Sequence, residues 1–172
     1  MKLITIILVL TTFALLSTNL IAASHCKKNE AIFFSCYIKG TSKVASLCGS
    51  TQEPTEWLQF RLGLINKPNV IYPKSKRNSL SKFVGIRNYH NDASHGGIST
   101  SLAEVIFHMD GVNYDIERTT HGESEHYGIS TQPGKGALSE IGNSNWTHLN
   151  CIKDKGYLDS LSQFLQKKNP PR

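Results

Sequence analysis

The chain has 172 residues, with 19 Lys and Arg against 13 Asp and Glu, seven His, a formal net charge of +6 and 39% hydrophobic residues. No segment after residue 23 is apolar enough to span a membrane, and the mild basic excess is poor in interleaved aromatics. An integral helical membrane protein and a nucleic-acid-binding protein are therefore both excluded.

At the N-terminus, Lys2 precedes an apolar run from Leu3 to Leu16, a polar break at Ser17-Thr18-Asn19, and small residues at Ala22 and Ala23. These are the three parts of a cleavable signal peptide over residues 1–23, and cleavage is expected after Ala22 or Ala23. His25 before Cys26 does not suit a lipoprotein site. Residues 24–172 are then one disulfide-stapled domain, periplasmic or secreted, with enough chain to bury a core.

All four cysteines, Cys26, Cys36, Cys48 and Cys151, lie in that part. An even number in an exported chain without close C-x-x-C spacing reads as two disulfides rather than a metal site. Three connectivities are open. A first hairpin, Ala31 to Ile38 and Lys43 to Cys48 around Lys39-Gly40-Thr41-Ser42, sets Cys36 opposite Ala45 on an inward face. Cys48 falls at its open end, where Cys26 also arrives, which favours Cys26 with Cys48 and Cys36 with Cys151.

Trp57 to Leu62 is the next strand, with Leu58, Phe60 and Leu62 on one side, and Asn69 to Tyr72 another, stopped at Pro73. Lys74 to Lys82 and Asn88 to Ser101 are polar and read as loops. Asp110-Gly111 marks a two-residue hairpin turn that opposes Met109 to Val112, Phe107 to Tyr114 and Val105 to Ile116. Asn113, Asp115 and Glu117 then fall on the other, solvated face. Further strands are expected at His126 to Thr131, Ala137 to Ile141 and Trp146 to Cys151. Tyr157, Leu158, Leu161, Phe164 and Leu165 recur at helical spacing, with Asp154 as N-cap and Asn169-Pro170-Pro171 as stop. The fold expected is mainly β, an antiparallel β sandwich or open barrel of seven to nine strands with a C-terminal amphipathic helix.

Phe34-Ser35-Cys36, Leu47-Cys48, Leu58-Gln59-Phe60-Arg61-Leu62-Gly63 and the late Cys151 resemble a group of small exported proteins of Gram-negative bacteria. The resemblance spans most of the chain after the signal peptide and implies an envelope location, but brings no functional residue with it. The architecture is more distantly similar to periplasmic lysozyme inhibitors. Their Ser-Gly-x-x-Tyr-like loop has only Ser124-Glu125-His126-Tyr127 as a counterpart, without the glycine.

Charge is segregated along the chain. Seven basic residues between Trp57 and Asn91, among them Lys74, Lys76 and Arg77, have no Asp or Glu between them, whereas Glu104 to Glu125 holds six acids against Arg118 alone. Lys74, Lys76 and Arg77 are the candidate binding residues for an anionic envelope component or a cell-wall-active enzyme. His121 and His126, with Glu123 and Glu125 close by, are weak metal candidates, and Glu117 with Glu123 or Glu125 a weak glycosidase pair. Serines lack a G-x-S-x-G elbow, so no catalytic residue and no cofactor is expected. The reading is a non-catalytic binding protein, with an inhibitor or immunity protein, or a secreted metal-binding protein or hydrolase, as alternatives.

Overall fold

A computed structural model of the chain describes residues 23–91, 97–136 and 145–170, apart from the side chains of 153–155. The expected signal segment, through residue 22, and the strand expected at Ala137 to Ile141 lie outside the described residues.

Among the described residues, nine strands form one antiparallel open sheet: β1 (Ala31–Ile38), β2 (Lys43–Ser50), β3 (Trp57–Leu64), β4 (Lys67–Tyr72), β5 (Phe83–His90), β6 (Thr100–Met109), β7 (Val112–His121), β8 (Ser124–Pro133) and β9 (Thr147–Lys155). Their order across the sheet is β4-β3-β2-β1-β9-β8-β7-β6-β5, so two four-stranded meanders are joined by the returning β9. The ends of this order fold toward each other. Phe60 of β3 lies 5.0 Å from Phe107 of β6, and Tyr72 of β4 stacks on Phe107 at 5.4 Å and meets Phe83 of β5 edge-on at 6.0 Å. No ladder joins β4 to β5, so the sheet curls around one aromatic core without closing.

The inward set follows the period of two: Phe34, Cys36, Ala45, Leu47, Leu58, Phe60, Val105, Phe107, Ile116 and Ile129 are all buried. A register shift between Ile32 and Phe34 inserts one residue into β1 and brings the adjacent Phe33 and Phe34 both into the core. Asp110 and Gly111 both have positive φ, and the β6–β7 register is Met109↔Val112, Phe107↔Tyr114, Val105↔Ile116, as the turn dictates.

Helix α1 (Leu158–Lys168) lies on the inward side against β5 and β6 and buries Leu158, Leu161 and Leu165. It begins later than an Asp154 cap requires, because β9 continues to Lys155 and its pairing reaches Ser35↔Lys155. Gly156 makes the joint: a Cβ there would stand 2.3 Å from the Phe33 carbonyl oxygen, which accepts the Tyr157 N–H. Residues 88–90 and 100–101, expected in a loop, extend β5 and β6 instead. β5 was hidden because Gly85 interrupts its pattern. That glycine lets the helix backbone approach, since a Cβ would sit 2.2 Å from the Ser162 carbonyl oxygen.

The disulfides are Cys26–Cys48 and Cys36–Cys151, the pairs favoured by the first hairpin's register. The second ties β1 to β9 from inside the core; the first pins residues 23–30 across the outer face of β1–β3. Two closed bridges and no free cysteine are the mark of an oxidising, non-cytoplasmic compartment. No described helix is long and apolar enough to cross a membrane.

Candidate functional site

Leu58, Phe60 and Leu62 point inward, so Trp57, Gln59 and Arg61 must point outward. The pinned N-terminal segment covers them. Ser35 Oγ donates to the Ala23 carbonyl at 2.7 Å, and the His25 N–H donates to Ser46 Oγ at 3.0 Å. His25 Nε2 faces the carbonyls of Val44 (3.0 Å) and Gly63 (3.3 Å) and so carries the ring proton in the neutral form. Its Nδ1 is buried and has no hydrogen-bond partner among the described residues.

Arg61 is buried as an ion pair. Nη1 and Nη2 donate to Glu30 Oε2 (2.6 Å) and Oε1 (3.0 Å), Nη1 also to the His25 carbonyl (2.8 Å), and Nη2 to Gln59 Oε1 (2.9 Å). Glu30 accepts in addition from the Lys27 N–H (2.8 Å) and Lys76 Nζ (3.1 Å). Burial alone would raise the Glu30 carboxyl; the bonds from Arg61, the Lys27 backbone and Lys76 outweigh it and hold the group at about 2. Gln59 Nε2 donates to the carbonyls of Pro73 (2.9 Å) and Lys74 (3.2 Å), fixing the start of the loop after β4.

Above this clamp lies an open depression of about 510 Å³. Lys27, Lys74 and Lys76 rim it, Arg61 and His25 form part of its floor, and among the described residues no carboxylate lines it. Ile71, itself exposed, is part of the lining at the β3–β4 end. The sequence candidates are thus divided by the structure. Lys74 lines the depression, Lys76 lines it but is committed to Glu30 and sits 3.6 Å over the Trp57 ring, and Arg77 is exposed outside the lining. Lys27, Glu30 and His25 were missed, since only the Cys26–Cys48 bridge brings them here. The signal available was the position of Cys26 just ahead of them.

The other candidates are separated. Glu125 accepts from Arg118 Nε (2.5 Å) and Tyr127 Oη (2.9 Å) on the inward side of the sheet, whereas Glu117 points outward, so those two carboxylates flank no common cleft. His121 stands at the β7–β8 turn and His126 on the outer face, and neither joins a cluster of metal-ligand atoms among the described residues. Ser124-Glu125-His126-Tyr127 is the start of β8, not a projecting loop.

The cluster that does form is acidic. Glu104 of β6 and Asp115 and Glu117 of β7 offer one oxygen each, all within 4.8 Å of one another. Asn113 and Asp115, expected on a solvated face, are buried, at 2% and 5% exposure. Burial, then the charges of Glu104 and Glu117, push the Asp115 carboxyl well above its ordinary range. Burial likewise raises Glu104, partly offset by its hydrogen bond with Asp115.

In comparisons with known proteins, no family model, no curated protein and no solved structure matches the chain.

Proposed function

We propose that the chain is an exported, non-catalytic binding protein of the bacterial envelope that docks on an anionic envelope component through the basic depression on β3 and β4. The carrying observation is that Lys27, Lys74 and Lys76 converge on one open depression whose lining holds no carboxylate, over an Arg61 already neutralised by Glu30. A surface of this kind attracts phosphate- or carboxylate-bearing polymers by summed charge rather than by one tight pocket. The depression is too open to enclose a small ligand, and the exposed Ile71 adds apolar contact area to its lining. An exported setting agrees with the two disulfides and with the leader-like residues 1–23.

The test is co-sedimentation of the purified protein with lipopolysaccharide aggregates and, separately, with peptidoglycan sacculi, over a salt series. Wild type is expected in one of the pellets at low salt and to leave it as salt shortens the screening length from about 10 Å at 0.1 M. Lys27→Glu with Lys74→Glu is expected to abolish pelleting while leaving the fold intact, because neither ammonium holds Glu30. Equal pelleting of wild type and double variant at every salt concentration would exclude this surface as the binding site.

A further inference from the structure

On the far half of the sheet, β6 and β7 pair Glu104 directly with Glu117, two like charges in cross-strand contact. Such a pair destabilises an antiparallel ladder. Asp115, one pleat along β7, adds a third carboxylate, and it is the most buried of the three. Its side chain shares a hydrogen bond with Glu104, but its Oδ1 has no hydrogen-bond partner among the described residues. The hydroxyl opposite it, Ser130 Oγ, is engaged with His148 Nδ1 at 2.8 Å. Among the described residues no lysine or arginine pairs with any of the three. A buried, unpaired concentration of negative charge costs several kcal/mol unless protons or a cation neutralise it.

We propose that Glu104, Asp115 and Glu117 form a site for a hard divalent cation of the size of Ca²⁺. Ca²⁺ binds oxygens at about 2.3–2.6 Å, so ligands on opposite sides of one ion stand roughly 4.6–5.2 Å apart. Three oxygens within 4.8 Å of one another fit inside that sphere. Mg²⁺ demands near-ideal octahedral geometry and gives up its waters reluctantly, which suits three carboxylates fixed on two paired strands less well than the looser coordination of Ca²⁺. Glu104 and Glu117 also line an open depression of about 440 Å³ with Asn88, Leu102 and Thr119, which gives the ion an entry path and leaves room for water ligands. Gly128 leaves room beside this site: a Cβ there would stand 3.0 Å from Glu117 Oε1.

Calorimetric titration of CaCl₂ into the whole purified chain near neutral pH, at matched ionic strength, tests the proposal. One saturable site per chain is expected, with Kd on the order of 10⁻⁴–10⁻³ M as for extracellular Ca²⁺ modules, and Mg²⁺ weaker by about tenfold or more. At ten times Kd the melting temperature should rise by about 3–5 °C over the NaCl control. Glu117→Gln should remove both signals; its position is half-buried, so the exchange disturbs the fold less than one at the buried Asp115. Absence of saturable heat from the unaltered protein overturns the proposal whatever the variant does, and so does a variant that binds Ca²⁺ as tightly as wild type.

Discussion

Replacing Glu30 by Gln separates a structural clamp from a solvated ion pair. The Arg61 and Glu30 side chains are 6% and 2% exposed, so the exchange leaves a buried guanidinium with a neutral amide oxygen in place of a carboxylate. Removing one partner of a buried pair costs about 3–5 kcal/mol. The retained amide oxygen and the half-exposed Lys76 reduce this to roughly 2–3 kcal/mol. Linkage gives a similar figure. A carboxyl that titrates at about 2 in the fold and at 4.5 when unfolded contributes stability that is full above pH 4.5 and is lost as pH falls toward 2. That contribution is about 2–3 kcal/mol after allowing for solvent on the Lys76 side. Urea unfolding with disulfides intact, followed by the fluorescence of Trp57 and Trp146, should show the Glu30→Gln midpoint about 1 M below wild type near neutral pH. The difference should shrink toward pH 2 as wild-type Glu30 takes up its proton. A variant within about 0.5 kcal/mol of wild type near neutral pH, with the same acid dependence, would refute the clamp.

Two further outcomes concern the frame. Gly156→Ala places a methyl against the Phe33 carbonyl at the joint between β9 and α1, at φ +149°. Its thermal midpoint should fall by an amount equivalent to about 2 kcal/mol or more, and an unchanged midpoint would contradict the close approach. The two disulfides span 115 and 22 residues, so chain entropy predicts that removing Cys36–Cys151 costs about 1.5 kcal/mol more than removing Cys26–Cys48. Urea midpoints of the paired alanine variants decide, and a smaller loss for the core pair would contradict the ordering.

Local signals carried far in this chain. Asp110-Gly111 fixed the register of β6 and β7, and the first hairpin's alternation separated inward Cys36 from outward Cys48. β5 was illegible because its residues after Ile86 are exposed at a sheet edge and Gly85 serves the helix rather than the strand pattern. Asp154 resembles a cap only while β9 is taken to end at Cys151. Charge density pointed to Lys74 and Lys76, but the counter-ion Glu30 and the third lysine, Lys27, come from a segment placed by a long-range bridge. The acidic cluster did carry a sequence signal. A register opposing Val105 to Ile116 also opposes Glu104 to Glu117, an arrangement that a merely solvated face does not favour.

Lysine footprinting tests the proposed binding surface most directly. Purified protein is acetylated at low salt, free and bound to whichever envelope fraction retains it, and each lysine's modification is read by mass spectrometry. The account predicts that Lys27 and Lys74 become protected on binding and lose that protection at high salt. Lys39 and Lys43, at the β1–β2 turn outside the depression, should react equally in both states. Protection confined to Lys39 and Lys43, with Lys27 and Lys74 unchanged, would contradict the assignment of the basic depression as the binding face.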